Sequence, residues 1–475
     1  GIDLSRVCLP LLERIEVTRG AGSLKLGSGA VGGVVNLVTR STEQGPETRA
    51  AFSAGAFETW EGSILHAGEV GRLDYSLGYC GFATEGDFEF ARPTDRFGGV
   101  DAAFVPDSAT RINNDREQHG ATLGLGLPLA GGELRFTDFA VFSSGGEPGT
   151  DSDNTANAGQ SAEARSRDFS NLAQLRWEGP SPTGWGEALE VLAYHRFERT
   201  SFRDPQARFR PPIDLRARLM TQGLRVTDVW SPDALGTHHE LELQADLAHD
   251  VLRATDQIGR ERPRAAASLR DALRLFDDRL VLSAGARLDW VDGFDPQILP
   301  SAGLVIEPLP WIRIRGQAGR AYRVPNFDEL FHPDQGFIRG NPDLSPEDAW
   351  NFDLGLELEL ARAGPFSRIR LRGSLFRREI DESIVWVLIN STTLAPVNVG
   401  EATIQGFEVS ASIDLGRYLR LSANHTQIDS ERASSGKRLP GQPEEETFAR
   451  LRIGREEAWK IVGEVHRVGE QLVSE

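Results

Sequence analysis

Cysteine and methionine are almost missing from this sequence, with two of the first and one of the second in 475 residues. Cys8 and Cys80 supply neither metal-ligand spacing nor a dense disulfide framework, so the expectation is two isolated buried thiols. No run of about 18 apolar residues occurs, which excludes membrane-spanning helices. No signal peptide opens the chain; were the protein exported, its leader would lie upstream of Gly1. Cations are the minority: 52 Lys and Arg stand against 70 Asp and Glu, a net charge of −18. That balance argues against a nucleic-acid partner, because phosphate binding needs clustered cations. Enzyme signatures are missing as well. There is no G-x-x-x-x-G-K-[ST], H-E-x-x-H or G-x-S-x-G, and Ser23 has neither a nucleophile elbow nor an identifiable base. No catalytic residue and no cofactor is expected.

Glycine, in contrast, is abundant at 50 residues. One cluster, "GSGAVG" at 27–32, matches the G-x-G-x-x-G fingerprint of a dinucleotide loop. That loop needs a strand before it and a helix after it, whose N-terminus holds the pyrophosphate. The preceding "LERIEVTRG" reads as a strand. The following "GVVNLVTR" carries β-branched Val34, Val35 and Val38 and reads as a second strand. Gly20, Gly22, Gly27, Gly29, Gly32 and Gly33 then serve as turn glycines, allowing positive φ and close backbone approach.

Alternation with period two dominates the remainder. Leu241, Leu243, Ala245 and Leu247 share one face, with Glu242, Gln244 and Asp246 on the other. Leu280, Leu282, Ala284, Ala286, Leu288 and Trp290 line up together. Leu354, Leu356, Leu358 and Leu360 oppose Asp353, Glu357 and Glu359, and Ile369, Leu371 and Leu375 oppose Arg368, Arg370 and Arg372. Connections alternate too. Short ones are expected within 66–72, 128–132, 231–237, 276–279, 307–310 and 416–417. Long ones are expected at about 84–115, 143–167, 199–218, 322–348, 380–402 and 429–443. Short turns at one end and long loops at the other are the pattern of an outer-membrane barrel. About ten residues per strand, at ~3.3 Å each and tilted ~40°, cover its ~25 Å apolar band. Closure is obligatory in lipid, where each unpaired backbone group costs several kcal/mol. Trp230, Trp290 and Trp311 fall near strand ends, where aromatic girdles sit. Roughly nineteen strands can be traced, and an even closed set implies that a few closing strands are missing.

Residues 11–40, "LLERIEVTRGAGSLKLGSGAVGGVVNLVTR", resemble the end of the plug domain of TonB-dependent outer-membrane receptors. Glu13, Arg14, Ile15, Glu16, Val17, Arg19 and Gly20 match the first part of the family pattern. Gly27, Gly29, Ala30, Gly32, Gly33, Val34, Val35, Asn36 and Thr39 match the second. Leu26 stands where the family often has Tyr, and Ala21 where it often has Pro. Three further blocks resemble the family in the same order: "RINNDREQ" (111–118), "GRAYRVPNFDELFHP" with "GNPDLSPEDAWNFDLG" (319–355), and "NVGEATIQGFEVSASI" (398–413).

The resemblance implies an all-β protein: a large antiparallel transmembrane β-barrel of the 22-stranded class, with about 19 strands present. Residues 1–45 would be the C-terminal part of an N-terminal plug domain, and 46–475 a barrel incomplete at its C-terminus. It further implies a bacterial outer-membrane location and active import of a scarce ligand, a ferric siderophore, cobalamin or similar metal chelate. TonB would act through a plug segment preceding Gly1. Paired Arg and Glu groups lock plug to barrel in this family. The matching positions are Arg14, Arg19, Glu347 and Glu408, and guanidinium–carboxylate pairs suit such a lock.

Other residues carry less. "DSDN" (151–154) lacks the ligand set of a calcium loop. His238 and His239 are adjacent and point to opposite strand faces, His195 and His249 stand alone, and no metal or haem site is expected. The arginines of 202–218 have three open uses: contact with an anionic ferric siderophore, contact with lipopolysaccharide phosphates, or solubilising a loop. Ligand-contacting residues are not legible. Two rivals remain. A passive porin or autotransporter barrel would lack the 11–40 and 319–355 patterns. A soluble dinucleotide oxidoreductase would need a helix at about 30–40.

Overall fold

The computed structural model describes residues 7–19, 27–29, 32–39, 46–91, 108–148, 163–182, 186–206, 212–234, 237–255, 257–334, 338–390, 393–433, 435–439, 441–455 and 459–472. A 3-10 turn at Leu9–Leu11 leads into β1 (Leu12–Arg19), which pairs antiparallel with β2 (Gly33–Thr39) in a sheet of two. Ile15 faces Leu37 and Val17 faces Val35 in this register. The stretch after the glycines is therefore a strand, as its β-branched residues dictate. No helix follows the fingerprint, and the dinucleotide crossover is excluded.

The next strands build a closed barrel. In chain order they are β3 (Glu47–Gly55), β4 (Thr59–Val70) and β5 (Leu73–Thr84). After them comes a small hairpin outside the ring, β6 (Glu89–Ala91) with β7 (Ser108–Thr110). The wall continues with β8 (Arg116–Leu129), β9 (Gly132–Gly146), β10 (Arg165–Gly179), β11 (Ala188–Asp204) and β12 (Ile213–Trp230). The two-residue β13 (Asp233–Ala234) precedes β14 (Thr237–Ala254), β15 (Gln257–Leu275), β16 (Leu280–Val291), β17 (Gln297–Leu309) and β18 (Ile312–Arg323). A one-turn helix, α1 (Phe327–Phe331), lies in the connection to β19 (Glu347–Ala363) and β20 (Phe366–Asp381). A second hairpin outside the ring, β21 (Ile384–Leu388) with β22 (Leu394–Asn398), comes before β23 (Ala402–Leu415), β24 (Leu419–Arg432), β25 (Glu445–Gly454) and β26 (Lys460–Val468).

Nineteen long strands and β13 make the ring. Antiparallel registers run unbroken from β3 to β26, and these two flanking strands are exposed at nearly every position. Strands are longer than the ten residues expected: β12 and β14 have 18 each. At ~3.3 Å per residue and ~40° tilt they cover about 45 Å, well beyond an apolar band of ~25 Å.

The alternation sorts as the sequence indicates. Leu243, Leu247, Leu354, Leu356, Leu371 and Leu375 are exposed on the outer face. Glu242, Gln244, Asp353, Glu357 and Arg372 line the lumen. This is inverted relative to a soluble protein and suits a wall with lipid outside and water inside. Turns at 71–72, 130–131, 276–279, 310–311, 364–365 and 416–418 share one end. The opposite end carries 85–115, 147–164, 324–346, 382–401 and 433–444, the 205–212 connection that strand extension leaves of the expected 199–218, and also the short connections 56–58, 255–256 and 292–296. The long-loop rule thus fails at three places, where neighbouring strands are joined by tight hairpins.

Candidate functional site

A lumen cavity of about 2350 Å³ lies between the β1–β2 sheet and the wall. Arg14, Glu16 and Asn36 line it from the sheet, and Arg135, Arg225, Glu357, Arg378 and Glu408 from the wall. Arg14 donates to Glu16 at 2.7 Å and to Glu13 at 3.1 Å, and Asn36 donates to the other oxygen of Glu16 at 2.9 Å. The described partners of Arg14 are therefore on its own strand.

Among the described residues the segment is docked to the wall at two places. The first is the turn at Gly27–Gly29. The Ser28 amide donates to the Asp289 carboxylate at 3.0 Å, and the Gly29 amide to the Tyr322 carbonyl at 3.0 Å. The Val324 amide donates back to Ser28 Oγ at 3.2 Å. Gly27 has φ of +74°, and a Cβ there would stand 2.8 Å from Arg287 Nη2. Only glycine meets both demands. Behind the turn runs a buried charge ladder. Arg225 bonds Asp246 at 2.5 Å, Arg287 bonds Asp246 at 2.7 Å, and Arg287 bonds Asp289 at 3.3 Å. Each buried charge in it has a partner, and breaking such a pair by removing one member costs about 3–5 kcal/mol.

The second dock is covalent. Cys8 and Cys80 form a disulfide, with Cα atoms 6.4 Å apart and a sequence separation of 72. This corrects the expectation of two isolated thiols. Both are buried, but the barrel register brings Cys80 of β5 beneath the 3-10 turn, and sequence spacing reports no such contact. In the chain-entropy treatment a loop of this length stabilises the fold by about 4 kcal/mol. The wall is hollowed to receive the turn. Gly120 lies across from Cys80, and Gly78 across from Thr122. A Cβ on Gly120 would meet the sulfurs of Cys8 and Cys80, and one on Gly78 would stand 2.8 Å from Leu11 Cδ2. Leu11 is 1% exposed and packs with Cys8, Leu65 and Cys80.

At the long-loop end, Glu347 accepts from Arg323 Nε at 2.6 Å and from the Ile384 amide at 2.8 Å. Arg323 also holds Glu329 at 2.9 Å. Glu347 thus clasps loop segments of the wall, and its described partners lie outside β1 and β2. Asn326 caps α1: its side-chain oxygen accepts from the Glu329 amide at 2.8 Å, and the Glu329 carboxylate accepts from the Asn326 amide at 2.7 Å. Buried Arg262 donates to the Pro325 carbonyl at 2.9 Å and stacks over Phe327 at 4.3 Å. Asn341 bonds the Pro396 carbonyl, and Asn398 bonds the Ser345 and Glu382 carbonyls. In the 111–118 block, Asn113 and Asn114 bond the Ala164 and Gly86 carbonyls, and Asp115 takes Arg165 through two bonds of 2.6 Å.

The other anticipated residues are scattered. Arg19 pairs with Gly33 through the backbone, and nothing is described of its side chain. Gly20, Gly22, Ser23 and residues 151–154 lie outside the described residues, as do 207–211 of the arginine-rich loop. Gly29 and Gly33 have positive φ, while Gly32 stands 3.7 Å from Arg378 through its notional Cβ. His238, His239 and His249 each sit beside one carboxylate, of Asp233, Asp271 and Glu261. Among the described residues no group of three or more His, Cys, Asp and Glu is placed to hold a metal ion. Sequence reasoning missed Asp289, Arg287 and Asp246. Their inward parity was legible, but their partners were not.

A family model described as TonB dependent receptor-like, beta-barrel matches residues 59–462. The vitamin B12 transporter BtuB of Photobacterium profundum is 24% identical over 430 residues, covering 87% of this chain and 62% of its own length. The chain thus spans less than two thirds of that curated relative. A variant of the ferric enterobactin receptor PfeA from Pseudomonas aeruginosa, in complex with enterobactin, superposes with a TM-score of 0.78 at 20% identity, over 99% of this chain and 75% of that one. The siderophore receptor PirA from Acinetobacter baumannii gives 0.75 at 17% identity, over 99% and 76%. These structural likenesses establish the fold.

Proposed function

The chain belongs to the TonB-dependent receptor β-barrel family, and from that premise we propose that it imports a scarce metal-chelate ligand across the bacterial outer membrane. The family and its matched relatives are receptors and transporters, not enzymes. Residues 1–45 are read as the last piece of the plug and 46–475 as barrel wall. The observation that carries the reading is the β1–β2 sheet held inside a polar lumen at two points of a lipid-facing wall. A passive pore needs a clear lumen, and a plugged one needs a device to open it. Barrels of this kind reside in outer membranes, and a disulfide suits that oxidising side of the envelope. The apolar outer face is the surface that would meet lipid. TonB, acting through a segment outside this chain, is the proposed source of the pull.

Arg14, Arg19, Glu347 and Glu408 are the proposed charges of a breakable plug–wall lock: Arg14 and Glu408 line the same lumen, and Glu347 also holds Arg323 of the wall. Cargo is proposed to be a ferric siderophore or cobalamin, the two classes in the relatives' names. The experiment is uptake of radiolabelled cyanocobalamin and ferric enterobactin by cells with and without the full gene, in TonB-positive and TonB-null backgrounds. Import of one probe that requires both gene and TonB is expected. Uptake that survives loss of TonB, or a gene on which neither probe depends, would sink the reading.

A further inference from the structure

The covalent dock has a mechanical consequence. Cys8 precedes β1, while Cys80 is in β5, a strand of the wall. Every force line that enters the chain before Cys8 reaches this cross-link before it reaches β1, β2 or the Gly27–Gly29 turn. The turn is held on β16 and β18, on the opposite side of the ring from β5 and β8 in the strand order. Noncovalent docks of that size yield to a sustained pull, and a disulfide does not.

The socket is built for the purpose. Gly78 and Gly120 leave the space that Leu11 and the two sulfurs fill, and Leu65 closes it. The Leu11 amide bonds the Cys8 carbonyl at 3.1 Å, which folds the chain back so that Leu11 enters the wall beside the sulfur.

We propose that the Cys8–Cys80 disulfide is a mechanical stop: a pull on the chain before Cys8 ends at the barrel wall and leaves β1 and β2 inside the lumen. Taken with the import reading on which its biological use rests, passage opens without expulsion of this piece. Reduction of the bond converts a fixed piece into one that can be drawn out. Its reduction takes two electrons and two protons: an added dithiol is oxidised to its cyclic disulfide, or a phosphine with one water to its oxide, as Cys8 and Cys80 become two thiols.

The test needs no cargo, so it stands apart from the uptake experiment. The chain, refolded in lipid nanodiscs and held by the barrel, is pulled from its N-terminus by atomic force microscopy. Oxidised protein is expected to show no lengthening beyond Cys8. After reduction in place, release of the segment between Cys8 and Glu47 adds about 130 Å of contour length, from ~3.4 Å for each of about 39 residues. Cys80→Ser, folded without the bond, is expected to give the same step without reductant. Folding of each sample is checked by heat-modifiable mobility on gels. Lengthening of the oxidised protein past Cys8 would overturn the proposal. So would a reduced protein that still stops there, because noncovalent docking would then suffice.

Discussion

Asp289→Ala removes the acceptor of the Ser28 amide while leaving the wall strand intact. In the native protein that amide reaches Asp289 at 3.0 Å, and Asp289 and Arg287 are buried together. A hydrogen bond to a charged group contributes about 1.5–3 kcal/mol. At about 1.4 kcal/mol per factor of ten, the open population of the turn rises about 10- to 150-fold. Arg287 keeps Asp246 at 2.7 Å, but shares that carboxylate with Arg225, so the variant also leaves one uncompensated cation in the ladder and its wall is expected to lose global stability besides. Residue-resolved amide hydrogen exchange reads the effect directly, because the exchanging hydrogens are the ones donated. Ser28 should accelerate by that factor, and Gly29, bonded to the Tyr322 carbonyl, should follow if the turn leaves as a unit. Amides of the β1–β2 ladder should keep their native rates. Asp289→Asn retains an acceptor and should fall between the two. Ser28 exchange within threefold of native in the alanine variant would refute the dock, and equal acceleration throughout β1 and β2 would reduce it to general loosening.

Three more outcomes follow from named contacts. Gly120→Val fills the space of the Cys8 and Cys80 sulfurs, so a maleimide-polymer gel shift should report two free thiols where the native protein has none. Arg323→Met leaves Glu329 and Glu347 without their shared cation, a local loss of about 3–5 kcal/mol; limited proteolysis should then cut within 324–346 while the barrel core stays intact. Leu247→Arg places a charge on the lipid-facing surface and should cost about 2–4 kcal/mol near mid-membrane, whereas lumen-facing Gln174→Arg should be nearly neutral, both read as shifts in denaturant midpoint in micelles.

Period-two patterning made the wall legible because a residue's face depends only on its parity within the strand. Leu243 and Leu247 against Glu242 and Gln244 needed no knowledge of a neighbour. Partner identity is different, since it depends on which strands meet and in what register. Glu347 shows the point. Its place in the family block points to a plug arginine; that β18 and β19 also set Arg323 directly opposite Glu347 could not be read. Asp289 likewise sits one residue from Trp290, so its inward direction could be read. That it meets Ser28, 261 residues away, could not. Cys8 and Cys80 failed for the same reason: spacing rules detect local ligand sets, while this bond is written in the closure of the ring.

The family blocks at 111–118, 319–355 and 398–413 explain why the architecture reads so clearly from sequence. Asn113, Asn114 and Asp115 tie the roots of the loops before β8 and β10. Asn341, Glu347 and Asn398 tie the root of 324–346 to the β21–β22 hairpin. These side chains spend their hydrogen bonds on backbone carbonyls, amides and each other's loops, so their chemistry is fixed by the barrel rather than by anything that passes through it. Short polar residues at such roots hold a register that any loop tip can share. A motif made of them therefore identifies the scaffold, and it does so through contacts at the loop roots alone.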